Sequence, residues 1–114
     1  MISVTLGFPP SINHYYRARR GGGRFISKEG KRYREDVIVM CLQSRVKTTG
    51  PVALTIKAFP PDLRQRDLDN LLKALLDALQ AAGAIDNDKN VRQLHMEWGN
   101  VRTGGMVVVE IERM

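Results

Sequence analysis

The chain has 114 residues, 43% of them hydrophobic and 26% charged, enough for one hydrophobic core and ordinary for a globular protein. One cysteine, Cys41, excludes an internal disulfide, and no apolar run approaches the length of a membrane span. Eighteen Lys and Arg against twelve Asp and Glu give a formal charge of +6, and eight of those bases fall between Arg17 and Arg34, which favours a polyanionic partner. The opening MISVTLGFPP lacks the charged and apolar regions of a secretory leader, so a cytoplasmic protein with no membrane partner is expected.

Residues 2–7 (ISVTLG) alternate as a strand does, and Pro9 and Pro10 stop it. Residues 11–26 show no apolar period and read as a long loop around Gly21, Gly22 and Gly23, carrying Arg17, Arg19, Arg20 and Arg24 with Tyr15, Tyr16 and Phe25 among them. The arginines suit DNA backbone, and the aromatics suit either base stacking or anchoring of the loop. Ser27 is placed to cap a helix running to about Val46, with Lys28 in its first turn and Tyr33, Val37, Met40 and Cys41 on one face.

Gly50 and Pro51 break the chain before VALTIKAF, 52–59, a β-branched strand ended by Pro60 and Pro61. Leu68, Leu71, Leu72, Leu75, Leu76 and Leu79 then recur with helical period, and Gly83 stands where a C′ glycine ends a helix. After Asp86, Asn87 and Asp88, residues 91–98 and 106–112 read as two strands, with 100–105 as the hairpin loop between them. The expected fold is one α+β domain spanning 1–114, in β-α-β-α-β-β order, a mixed sheet with two helices packed on it.

The acids lie in two short clusters at opposite ends of the leucine-rich helix. Asp67 and Asp69 flank Leu68 at its start, Lys73 is four residues after Asp69, and Asp86 and Asp88 follow its end. Each has a structural account: Asp67 as an N-cap, Asp69 at the positive helix end, Asp69 with Lys73 as an i,i+4 pair, and 86–88 as turn chemistry. Arg64 and Arg66, however, alternate directly into Asp67 and Asp69. Carboxylates beside phosphate-attracting groups make chemical sense when Mg²⁺ lies between them, because hard oxygens hold an ion that also binds phosphate and activates water. Lys73 is then placed to steady transition-state charge.

RQRDLDNLLKALLDAL…AGAIDNDKNV resembles the signature of the RusA-type Holliday-junction resolvases, small Mg²⁺-dependent endonucleases of bacteria and prophages. Their DxDN-x-x-K helix and following G-x-x-x-[DN]-D match Asp67, Asp69, Asn70, Lys73, Gly83 and Asp88. FPPSINHYYR (8–17) and ISKEGKRYREDV (26–37) resemble the family's opening and its first helix, so the likeness runs through nearly the whole chain. The resemblance implies metal ligation by Asp67, Asp69 and Asp88, an essential role for Lys73, and paired symmetric nicking of four-way junctions. Asp86-Asn87-Asp88 departs from the adjacent acids that relatives often have. Arg17, Arg19, Arg20, Arg24, Lys28, Arg64, Arg66 and Asn70 are the expected DNA contacts, with Mn²⁺ an expected substitute for Mg²⁺.

Chain geometry bears on how the acids meet. A helix over 68–82 is about 22 Å long, and 83–88 spans at most about 20 Å fully extended, so Asp88 reaches its own Asp67 only by a nearly straight return. Two helices antiparallel across a two-fold axis bring each Asp88 to the other subunit's Asp67 and Asp69, so a homodimer is expected. The other route is that the strand following the helix starts beside the helix N-terminus. Two rival functions keep the same residues: a DNA-binding protein without catalysis, and a metal-dependent transferase, the latter disfavoured by the absence of a glycine-rich nucleotide fingerprint.

Overall fold

The computed structural model describes all residues from Met1 to Met114. Its elements are β1 (Ile2–Gly7), α1 (Ile12–Tyr15), β2 (Tyr16–Ala18), β3 (Arg24–Ile26), α2 (Lys28–Gln43), β4 (Val52–Phe59), α3 (Leu68–Ala81), a 3₁₀ turn (Asp88–Asn90), β5 (Val91–Trp98) and β6 (Met106–Arg113). The class is α+β as expected: a four-stranded mixed sheet, ordered β1-β6-β4-β5, with three helices and a separate β2-β3 ribbon. β4 runs parallel to β5 and antiparallel to β6, which in turn pairs antiparallel with β1.

Alternation decides which face is covered. The register aligns Val4, Val109, Ile56 and Met96 across the sheet, with Leu6, Val107, Ala58 and Trp98 in the next row. These rows join Tyr33, Val37 and Cys41 of α2 and Ala74, Leu75, Ala78 and Leu79 of α3 in one core. The other face presents exposed Thr55, Lys57, His95 and Glu97. Row by row, burial fades toward β5: Leu54 is buried, but its neighbour Leu94 is 43% exposed.

Four expectations need correction. Residues 100–105 do not form a hairpin. β6 lies between β1 and β4, and the connection from β5 steps across the end of β4, tied there by Gly99 N–H to the Ala58 carbonyl and Arg102 N–H to the Pro60 carbonyl, each at 2.8 Å. Residues 11–26 are not a structureless loop but a helical turn and an antiparallel ribbon, so the element order is β-α-β-β-α-β-α-β-β. α2 stops at Gln43 rather than near Val46: Arg45 takes φ 54°, and Val46 N–H reaches the Cys41 carbonyl at 2.9 Å, a Schellman closure made without glycine. Met40 is also 37% exposed instead of sharing the buried face.

Other expectations hold. The Ser27 side chain accepts the Gly30 N–H at 2.9 Å and caps α2. Gly83 closes α3 at φ 76°, with Ala84 N–H on the Leu79 carbonyl at 3.0 Å. Cys41 is a buried free thiol. No helix is long and apolar enough to cross a membrane.

Candidate active site

The segment leaving β4 is shaped by an acid that sequence reasoning passed over. Asp62 accepts the Arg64 N–H and an Arg66 Nη1 hydrogen, both at 2.9 Å, and Arg66 also donates to the Arg64 carbonyl at 3.1 Å. The Arg66 guanidinium and the Arg64 N–H hold the Asp62 carboxyl below the usual carboxylate range. Arg66 further lies over the Phe8 ring, 5.5 Å from its centroid. Of the two arginines assigned to DNA here, Arg66 is thus braced within the chain, while the Arg64 side chain is exposed and unpaired. The signal was in the sequence: Asp62 precedes Arg66 by four residues.

This segment delivers Asp67 to the N-cap position of α3, but the Asp67 side chain caps nothing. Its sole protein contact is a 3.5 Å approach from the Asn70 amide. Asp69, in the first turn, and Lys73, one turn on, are both exposed, and the Asp69–Lys73 ion pair allowed by their spacing is not formed. Asp69 and Lys73 therefore stand without internal partners at this end of the helix, and Asp67 has only the long Asn70 contact. Beside them opens a pocket of about 810 Å³ whose lining includes Ser11, Arg64, Arg66, Asp67, Asn70 and Trp98. Trp98, half-buried against the core, forms one apolar wall, with its ring stacked toward Phe8 at 6.4 Å.

Asp88 lies elsewhere. Its N–H donates to Gln80 Oε1 at 3.0 Å, fixing it beside the last turn of α3 with its carboxylate exposed. Gln80 is thirteen residues beyond Asp67, or about 20 Å along the helix. The route in which the chain returns directly to the α3 N-terminus is not taken. Within one chain, no group of three or more His, Cys, Asp or Glu side chains is placed to hold a metal ion. Asp67 and Asp69 fit a hard divalent cation by donor type, and two carboxylates alone are fewer than the oxygen ligands such a cation takes.

The expected DNA-contacting bases sit on the β2-β3 ribbon. Arg17, Arg19, Arg20 and Arg24 are all exposed there, and Lys28 is exposed at the start of α2. Gly21, Gly22 and Gly23 have φ of 90°, 115° and 78°, so the tip follows a path that side-chain-bearing residues rarely adopt. Arg19 covers the Phe25 ring at 5.7 Å and Arg24 the Tyr16 ring at 5.0 Å. Tyr15, at the ribbon's foot, is fully buried and donates its hydroxyl to Asp77 of α3, which also binds Arg34 at 2.6 Å. Burial, and next the Asp77 carboxylate, push the Tyr15 phenol well above its usual value. Tyr15 is thus the anchor and Asp77 the fastening point, two turns beyond Asp69 on the helix that carries the acids. Nothing in the sequence pattern marks this pair, whose members lie 62 positions apart.

Asp67 at a pocket lined by Arg64 and Arg66, on a chain with an exposed basic ribbon, is chemistry suited to a phosphate-bearing substrate. The family model for endodeoxyribonuclease RusA matches residues 7–112. The chain is 38% identical to the crossover junction endodeoxyribonuclease of Enterobacteria phage HK97, covering 96% of this chain and 92% of that protein. It is 40% identical to the corresponding proteins of Shigella sonnei and Escherichia coli K12, in each case over 98% of this chain and 94% of the relative. The chain belongs to the endodeoxyribonuclease RusA family and is an enzyme of that class.

Proposed function

We propose that the protein resolves Holliday junctions in DNA recombination and repair, as a homodimer that uses Mg²⁺, or Mn²⁺ in its place, to make paired symmetric nicks. The whole chain, 1–114, acts as one resolvase domain in the cytoplasm of a bacterial host, whether encoded by the host or by a phage. One observation carries the reading: at one end of α3 Asp69 stands without an internal partner and Asp67 has only a long Asn70 amide contact, while Asp88 is fixed at the other end.

The leucine stripe supports the second copy. Leu71, Leu75 and Leu79 are buried, whereas Leu68, Leu72 and Leu76 are half-buried on the outer flank, near an under-covered β5 that exposes Leu94. Antiparallel packing of two α3 helices, centred between Leu72 and Leu76, lays Leu68 of one copy against Gln80 of the other. Each Asp88 then meets the other copy's Asp67 and Asp69, giving two equivalent sites related by the dyad. Two-fold symmetry also suits a four-way junction, where opposing strands are cut in pairs.

In this arrangement Asp67, Asp69 and Asp88 hold the cation. When bound, Mg²⁺ supplies positive charge to the phosphate oxygens and lowers the pKa of water for attack on phosphorus. Lys73 sets its ammonium beside the charge that develops as the leaving oxygen departs. Arg64, Arg66 and Asn70 seat the phosphodiester backbone at the pocket, and Arg17, Arg19, Arg20, Arg24 and Lys28 grip an adjoining arm. A synthetic four-way junction incubated with the purified protein tests the reading. Symmetric nicks with Mg²⁺ and none with EDTA are expected, whereas tight binding without nicks under either condition identifies a junction-binding protein instead.

A further inference from the structure

Asp86, Asp88 and Asn90 recur at alternate positions, the spacing at which cation-binding loops present oxygen ligands. All three therefore have the spacing of ligands, yet their surroundings differ. Asp86 Oδ2 accepts the Gly50 N–H at 3.0 Å, and Asp86 Oδ1 accepts an Asn90 amide hydrogen at 2.6 Å. Both oxygens of that carboxylate are engaged by donors, and Asn90 offers it hydrogens rather than an oxygen. The Asp88 carboxylate has no hydrogen bond within the chain, while its N–H is held by Gln80 at 3.0 Å.

The turn is also fastened from outside. Thr48, buried between α2 and β4, donates both its N–H (3.1 Å) and its hydroxyl (2.6 Å) to the Ala84 carbonyl. Gly50, two residues on, supplies the Asp86 contact with φ 78°. Asn87 accepts the Lys89 N–H at 2.9 Å and starts the 3₁₀ turn. The connector at 48–50 thus grips the 84–90 segment at two points, and Asp86 is the outer one.

We infer that Asp86 is a positioning residue: its carboxylate clamps the turn to the Gly50 backbone and to Asn90, and thereby sets the direction of the Asp88 carboxylate without joining the ligand set. The inference rests on the reading of Asp88 as a ligand. It gives a role to Asp86, the acid of this turn that the family motif does not cover.

The full-length protein and its Asp86→Asn, Asp86→Ala and Asp88→Asn variants test it through two measurements independent of cleavage: the melting temperature in EDTA and the affinity for Mn²⁺ alone. Asp86→Ala is expected to lower the metal-free melting temperature by about 4 °C, the effect of losing one or two hydrogen bonds in a chain this size. Its Mn²⁺ affinity is expected to fall by about tenfold, as it does when a residue supporting a ligand is lost. Asp86→Asn retains an acceptor for Gly50, and Asn90 can turn its amide to receive the new NH₂, so Mn²⁺ affinity stays within about twofold of wild type. Asp88→Asn leaves the metal-free melting temperature unchanged and weakens Mn²⁺ by at least about tenfold.

Loss of Mn²⁺ affinity in Asp86→Asn equal to that in Asp88→Asn, with an unchanged melting temperature, makes Asp86 a ligand and overturns the inference. Wild-type values for Asp86→Ala on both measurements overturn it as well. Should Asp88→Asn bind Mn²⁺ as wild type does, the ligand reading of Asp88 fails by itself, and the melting temperatures alone then decide whether Asp86 is a clamp.

Discussion

Asp67 occupies an N-cap and does not cap, and that departure separates the functional reading from the structural one. An N-cap aspartate ordinarily accepts the N–H of the second or third helical residue, and replacing it costs about 1 kcal/mol of stability. Here the Asp67 side chain makes no such bond, and Asp69 and Lys73 are unpartnered. Replacing Asp69 with Asn is therefore expected to leave the melting temperature unchanged while lowering junction cleavage by more than about a hundredfold, and Lys73→Gln by about 10²–10³-fold. Junction affinity should survive both changes, as gel shift in Ca²⁺ or EDTA can measure; an equal loss of binding and cleavage would return these residues to a DNA-contact role.

A second residue-scale prediction concerns pH. Burial raises the phenol pKa of Tyr15, with Asp77 adding to it, and burial likewise raises that of Tyr33. The unfolded chain releases these protons near the ordinary tyrosine pKa of about 10, whereas the folded chain retains them. The unfolded state then binds fewer protons, so the stability from each tyrosine is complete below pH 10 and is lost as pH rises toward the folded value. Melting temperature should fall steeply above pH 10 in wild type and less steeply in Tyr15→Phe, with Tyr33, Tyr16 and Cys41, all raised by burial, contributing to the slope that remains. Equal slopes in the two proteins would exclude a titrating role for Tyr15.

At the scale of elements, what was legible followed local signals. The Ser27 cap, the Gly83 stop and the period of the leucines fixed α2's start and α3's end, because capping and amphipathic burial act within a few residues. All four sheet strands were visible from alternation or β-branching, and the order in which they pair was not. Gly104 and Gly105 look like hairpin chemistry, and only contacts to the end of β4 reveal that the connection crosses that strand. A physical clue was present nonetheless. β5 carries Arg92, Gln93, His95 and Glu97, the polar sequence of an edge, whereas β6 buries Val107, Val109 and Ile111 as an interior strand does. In the candidate site, the acids and their lysine were readable as a motif. Asp77 beneath Tyr15 and Asp86 beneath Gly50 were not, because each is defined by a distant partner the pattern does not name.

At the scale of the whole molecule, a net charge of +6 and an exposed arginine ribbon favour a polyanion, while acids at the two ends of one helix pose a question that one copy leaves unanswered. The proposed dimer answers it, and the seam can be probed directly. Leu76→Glu sets a charge on the half-buried flank of α3 and spares the buried Leu75 beside it. Light scattering should find a folded monomer, and cleavage of the four-way junction should be lost, since a solitary chain cannot complete the ligand set. A Leu76→Glu monomer that still nicks junctions would place each site within one subunit.

The most direct measurement uses subunits that are each inactive. Asp67→Asn and Asp88→Asn proteins are unfolded together, refolded as a mixture and supplied with a four-way junction and Mg²⁺. If sites are shared across the dyad, every heterodimer has one site with both changes and one with neither, so about a quarter of the wild-type number of sites is restored. The product is a junction nicked in a single strand, not a resolved pair of duplexes. No incision by the refolded mixture, from proteins that demonstrably exchange subunits, would contradict the shared site.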